Sequence, residues 1–93
     1  MDLGLILTGG SARGNVELGV RAEQAGFDAV YACEFFNQQT FPTLGALAQA
    51  TRRVRLGTAI ASAFVRSPLT HATAFMDIDE LSDGRAVVGL GSG

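Results

Sequence analysis

Ninety-three residues are enough for one small domain with a core and too few for a complete large α/β enzyme fold. Hydrophobic residues are 47% of the chain and charged residues 17%, which excludes disorder and suits strands buried on both faces of a parallel sheet. Seven basic against nine acidic residues give a net charge of -2 with no basic block, which argues against a nucleic-acid partner. No apolar run approaches the roughly 20 residues of a membrane span, and the lone Cys33 permits no internal disulfide. The opening Met1-Asp2-Leu3-Gly4 shows no signal-peptide pattern, so a cytoplasmic protein is expected; no residue is assigned to a metal.

Short β-type runs alternate with helical stretches. Leu3 to Leu7 reads as a buried first strand, broken by Thr8-Gly9-Gly10-Ser11. Asn15 is placed to cap a helix from Val16 to Ala25, with Val16 and Val20 on one face and Gly26 closing it in the left-handed conformation. Ala29 to Cys33 forms a second strand. After an irregular stretch from Glu34 to Pro42, a second helix from about Thr43 to Thr51 brings Leu44, Leu47 and Ala48 together. Val54 to Ile60 is the third strand. Ser67-Pro68 then supplies a cap and a first helical residue, proline losing there only a donor that has no helical partner. That helix runs to about Leu81 with Phe75, Ile78 and Leu81 at three-residue steps, and Ser82-Asp83-Gly84 turns the chain into a fourth strand, Ala86 to Leu90.

The resulting α/β order, a parallel βαβαβαβ, allows an open doubly wound sheet or an arc of a barrel, and in both the ligand edge is the carboxyl end of the strands. For the open sheet speaks the glycine-rich turn Thr8-Gly9-Gly10-Ser11-Ala12-Arg13-Gly14, with Glu34 about 20 residues beyond it, where an NAD(P)-binding fold keeps its ribose-binding acid. The segment looks like the opening of a short-chain dehydrogenase. Val16 stands where that pattern requires a further glycine.

For the barrel speaks a conjunction of pieces. Ala22-Glu23-Gln24-Ala25-Gly26-Phe27-Asp28-Ala29-Val30-Tyr31, Leu47-Ala48-Gln49-Ala50-Thr51, Val54-Arg55-Leu56-Gly57-Thr58, Arg66-Ser67-Pro68, Leu81-Ser82-Asp83-Gly84-Arg85 and Gly89-Leu90-Gly91-Ser92-Gly93 follow in order over nearly the whole chain. Together they resemble the amino-terminal half of the bacterial luciferase-like family. The resemblance implies that residues 1–93 form strands one to four and three helices of a (β/α)8 TIM barrel. It implies FMN or the deazaflavin coenzyme F-420 as cofactor, a small organic substrate, and monooxygenase or dehydrogenase/reductase chemistry.

The same resemblance assigns the cofactor to Ala59, Ile60, Ala61 and Ser62 at the tip of strand three and to Gly91, Ser92 and Gly93 at the tip of strand four. Its deazaflavin-using members carry a non-proline cis peptide whose match here is the bond from Ala59 to Ile60; a plain trans strand end is the alternative. Glu34 matches an acidic residue after strand two and is the candidate catalytic group, against a solvated carboxylate or a salt bridge to an arginine. Phe35 falls where many relatives carry a histidine, so proton exchange of the histidine type is not expected, and Phe36 is the candidate to point inward. Arg66 is read as a salt-bridge partner of Asp77, Asp79 or another acid rather than a phosphate ligand, His71 as a surface or helix-packing residue, and Cys33 as a small core residue. Four parallel strands leave two unpaired edges, so a piece of a longer barrel, a homo-oligomer, pairing with a missing second half-barrel, or a non-catalytic interaction remnant are the forms expected.

Overall fold

A computed structural model describes residues 2–92. In chain order the elements are β1 (Gly4–Leu7), α1 (Ala12–Gln24), β2 (Ala29–Ala32), α2 (Thr40–Ala50), β3 (Arg55–Thr58), β4 (Ala61–Ser62), α3 (Pro68–Leu81), β5 (Ala86–Val87) and β6 (Leu90–Gly91). Every ladder is parallel, and the main sheet runs β1-β2-β3-β5, with β4 and β6 pairing beyond it. Each unit adds its strand beside the previous one, the way an arc of a barrel grows. A doubly wound dinucleotide sheet instead reverses direction at a switch point, so the open-sheet alternative is set aside.

One face of the sheet carries the helices. Leu7, Val30, Ala32 and Leu56 from the strands meet Ala22, Leu44, Leu47, Ala48 and Ile78 from the helices in a single buried cluster. Because successive strand side chains point to opposite faces, Ile6 lies on the other side and is half exposed, as a residue on the inner wall of an open barrel arc would be.

Two helix starts and one buried face differ from the sequence reading. Ser11, not Asn15, caps α1, accepting a hydrogen bond from the Gly14 amide at 3.0 Å. Asn15 is buried inside the helix and its Oδ1 accepts from the Gly9 amide at 2.8 Å, so it ties down the glycine-rich turn instead. Helix α2 starts at Thr40, with Pro42 in its first turn, where the amide it lacks would have no helical acceptor. In α3 the cap is Ser67 as expected, accepting from the Thr70 amide at 3.1 Å, but the buried face is His71, Phe75 and Ile78. Steps of four and three stay on one face of a 3.6-residue helix, whereas two steps of three drift off it and leave Leu81 partly exposed.

Strands three and four are each broken in two. Gly57 faces Val87 and Ala61 faces Leu90, so Thr58, Ala59 and Ile60 on one side oppose only Val88 and Gly89 on the other. That extra residue is a β-bulge, and it bends the strand at its ligand end. A single hydroxyl closes the gap: Thr58 Oγ1 donates to the Gly89 carbonyl at 2.6 Å and accepts from the Gly89 amide at 2.9 Å. A Cβ at position 89 would collide with the Thr58 carbonyl oxygen, so the close approach requires glycine.

Candidate functional site at the strand tips

Glu34, just after β2, reaches the end of β4, which pairs with β6. Its side chain is only 6% exposed, and the Arg66 side chain beside it 15%. Arg66 grips it in a fork, Nη1 to Oε1 at 2.7 Å and Nη2 to Oε2 at 2.5 Å. The Ser62 amide donates to Oε1 at 3.0 Å and the Thr40 amide to Oε2 at 3.4 Å. A carboxylate has about four acceptor positions, and here all are in use. Thr40 opens α2, whose own cap residue, Gln39, makes no side-chain cap bond, so the negative charge also sits at that helix's positive end. Arg66, the Ser62 amide and the Thr40 amide hold the Glu34 carboxyl below the usual carboxylate range, against the opposing effect of burial. Arg66 also lies 4.7 Å from the centre of the Phe41 ring, which meets Phe75 edge to face.

The loop after β2 is pinned. Phe35 and Gln38 exchange backbone hydrogen bonds at 3.2 and 3.3 Å, and the Gln38 side-chain amide donates to the Cys33 carbonyl at 3.2 Å. Phe35 is more than half exposed on this loop and Phe36 fully so; Phe36 points outward, contrary to expectation, because the two-residue turn between Phe35 and Gln38 lifts it off the sheet. Cys33 is buried, as expected of a small core residue, and burial pushes its thiol pKa up.

The bond between Ala59 and Ile60 is cis, at the position the resemblance picks out. Ala61 is fully buried and its amide donates to the Gly89 carbonyl at 2.9 Å, while Gly91 pairs with Ser62 and its carbonyl accepts from the Ala63 amide at 2.8 Å. Ser92 is exposed at the same edge, and Gly93 lies outside the described residues. A cavity of about 200 Å³ opens between Cys33, Glu34, Phe35, Ala59 and Ile60. A neighbouring one of about 300 Å³ is lined by Glu34, Phe35, Phe36, Ser62 and Val65. His71 lies apart from both, on the buried face of α3, in tilted contact with Phe41. Among the described residues neither of its ring nitrogens has a hydrogen-bond partner.

Sequence reasoning brought Glu34 and Ala59 to Ser62 to one edge and allowed for the arginine salt bridge, but it named Asp77 and Asp79 as partners ahead of the acid that Arg66 meets. It missed Thr58, Gln38 and Arg85. The Arg85 guanidinium closes the far end of α2, donating to the carbonyls of Ala48, Thr51, Val54 and Ser82 and to the Thr51 hydroxyl at 2.6–3.1 Å. An arginine directly after a tight turn was the only local signal for it.

Parallel strand-helix units added along one sheet edge, bare on the inner face and with polar backbone and apolar side chains at the strand tips, define part of a (β/α)8 barrel with its ligand edge. The model of the luciferase-like monooxygenase family matches residues 3–93. The chain belongs to that family. It is 39% identical over 77 residues, 83% of its length, to a putative coenzyme F-420-dependent oxidoreductase of Mycobacterium tuberculosis. It is 37% identical over 73 residues, 77% of its length, to the 5,10-methylenetetrahydromethanopterin reductase of Methanolobus tindarius. In three dimensions it superposes with a TM-score of 0.89 and 27% identity, over 99% of its length, on an F-420-dependent secondary alcohol dehydrogenase in complex with an F-420-acetone adduct. It spans 22% of the length of each of the first two and 32% of the third. No helix among the described residues is long and apolar enough to cross a membrane.

Proposed function

We propose that this chain forms the cofactor-facing part of a luciferase-like oxidoreductase, acting by hydride transfer or monooxygenation on a small organic substrate with F-420 or FMN. The observation that carries the reading is the meeting of the β2 and β3 tips at one largely apolar cavity, lined by Cys33, Glu34, Phe35, Ala59 and Ile60, in a chain of this family. F-420 is favoured because the Mycobacterium tuberculosis relative is named a putative F-420-dependent oxidoreductase and the superposed alcohol dehydrogenase is F-420-dependent. A cavity of about 200 Å³ is smaller than the ~300–1,000 Å³ of a complete small-molecule site, so these residues fit one wall of the cofactor rather than its whole envelope.

In that wall Ala59 and Ile60 form the apolar surface, and the Ser62 hydroxyl, with Gly91 and Ser92, forms the polar edge. A bound flavin or deazaflavin would supply the hydride chemistry. Glu34 acts as a positioning residue: with its acceptor positions filled, it fixes the Ser62 backbone and the start of α2 and has no free lone pair for a substrate proton. The remaining strands of the barrel cover the unpaired edges of this sheet, and the protein acts in the cytoplasm.

Titrating the chain with F-420 and with FMN, followed by fluorescence while the mass in solution is measured, tests this. Saturable binding of F-420 in preference to FMN, by an oligomer or by the chain together with the remaining strands of the barrel, is expected. Absence of binding by every assembled form would leave an interaction remnant as the correct reading.

A further inference from the structure

On the helix-bearing face, away from the strand tips, a groove of about 480 Å³ runs between α3 and the last strand. Pro68, Ala72 and Phe75 form its α3 side, and Val88 and Leu90 its floor. Ala86, Val88 and Leu90 follow at two-residue steps and so share a face, and Ala86 already packs against the core beneath the helices. The helices α1 and α2 lie over β1, β2 and β3, whereas Val88 and Leu90 remain about half exposed.

One group in this apolar lining is polar. His71 is 4% exposed, and neither Nδ1 nor Nε2 has a hydrogen-bond partner among the described residues or a path to solvent. An imidazole carries at least one N–H in either protonation state, so a buried donor here lacks an acceptor, which is costly and rare in folded chains. The neighbouring Phe41 ring, 6.4 Å away, offers no oxygen. A half-turn about the Cβ–Cγ bond exchanges nitrogen and carbon positions of the ring, so the edge it shows to the groove can carry the N–H. The acceptor then comes from whatever closes the groove.

The fold decides what closes it. In a (β/α)8 barrel every strand is followed by a helix on the outer face, and parallel crossovers are right-handed, so the helix after the fourth strand lies beside α3 and over the outward residues of that strand. That place is this groove. The chain spans 22% of the length of the Mycobacterium tuberculosis relative, which leaves ample chain there for such a unit. We infer that the groove seats the helix of the next strand-helix unit, that the seated face of that helix is apolar except for one oxygen-bearing side chain, and that His71 donates to that oxygen and so fixes the register of the helix. A single polar pair inside an apolar seam sets register because a slip leaves both groups buried and unpaired. The inference rests on the barrel of the proposed function and not on its cofactor.

The test compares the chain by itself with a chimaera in which it replaces the matching segment of the Mycobacterium tuberculosis relative. In the unmodified chimaera, nuclear Overhauser contacts should join the His71 ring and the Val88 and Leu90 methyls to one helix beyond Gly93. The residue of that helix nearest His71 is then set to Gln or to Leu, each with His71 kept and with His71→Leu. With His71 kept, Gln should protect the seated helix from amide exchange about tenfold more than Leu does; with His71→Leu the order should reverse. In the chain alone, which lacks the acceptor, His71→Leu should raise the urea midpoint, and a lowered midpoint there would overturn the inference without recourse to the chimaera. Leu favoured over Gln opposite His71, a groove left open in the chimaera, or burial of Val88 and Leu90 by a second copy would also overturn it. F-420 binding by a chimaera without the His71 coupling leaves the proposed function standing and removes the seam; the coupling without F-420 binding removes the cofactor reading alone.

Discussion

Replacing Arg66 with methionine keeps most of the side-chain volume and removes only the fork. Glu34 is then left 6% exposed in its native setting with two donors in place of four, the Ser62 amide at 3.0 Å and the Thr40 amide at 3.4 Å. Breaking a buried pair from one side costs about 3–5 kcal/mol, because the surviving charge has lost its partner but not its burial. A further ~0.5–1 kcal/mol is lost from the guanidinium over the Phe41 ring. A chain of 93 residues holds on the order of 5–14 kcal/mol in all, so R66M removes a large share of it. Adding E34Q takes away the stranded charge, and R66M/E34Q should regain about 1–2 kcal/mol over R66M alone.

The pH dependence gives an independent check. Glu34 is held below its ordinary pKa, chiefly by Arg66, so its contribution is complete above the unfolded carboxylate value and is lost as pH falls through the folded one. R66M removes the main cause of that lowering, so the gap between wild type and variant should be widest near neutrality and narrow as pH drops through the carboxylate range. Urea unfolding followed by circular dichroism at pH 7 and pH 4 measures both effects. If R66M stays within about 1 kcal/mol of wild type at pH 7, or the gap widens in acid, Glu34 is not a buried, compensated carboxylate and its positioning role fails.

Three further substitutions probe the frame around the site. His71→Leu should raise stability by about 1 kcal/mol, seen as a higher urea midpoint, because an imidazole with two unpartnered nitrogens gives way to an apolar group of similar reach; a loss of stability would reveal a partner for the ring. Arg85→Met should lower it by about 3 kcal/mol, since the Ala48, Thr51 and Val54 carbonyls lose a charged donor together, and an unchanged midpoint would contradict that. Gly89→Ala should separate β4 from β6, raising amide exchange at Ala61 and Ala63 about tenfold or more while Leu56 in β3 stays protected; uniform protection would show that the bulge can accommodate a Cβ.

Much of the frame is legible locally. Ser67-Pro68 marks the start of α3 because capping and proline act within one turn, and Gly26, at φ +95°, ends α1 for the same kind of reason. Where a residue had two local options the reading faltered. Asn15 and Ser11 are both good caps, and only the fold of the Gly9 turn back onto the helix shows which one is used. Helix α2 gains its first turn from a carboxylate six residues upstream, a contact outside any capping pattern read along the chain.

Apolar periodicity, turn chemistry and the run of family motifs were sufficient to determine the parallel βαβαβαβ order, the family and the edge of the sheet where ligands are met, because each depends on residues a few positions apart. The order β1-β2-β3-β5, the extra residue between β3 and β4, the pairing of Glu34 with an arginine 32 positions away and the division of the strand tips into two cavities were decided by tertiary structure alone. Their physical cause is contact between separate strand-helix units: a charge 32 residues distant finds its partner only once the units between them have packed.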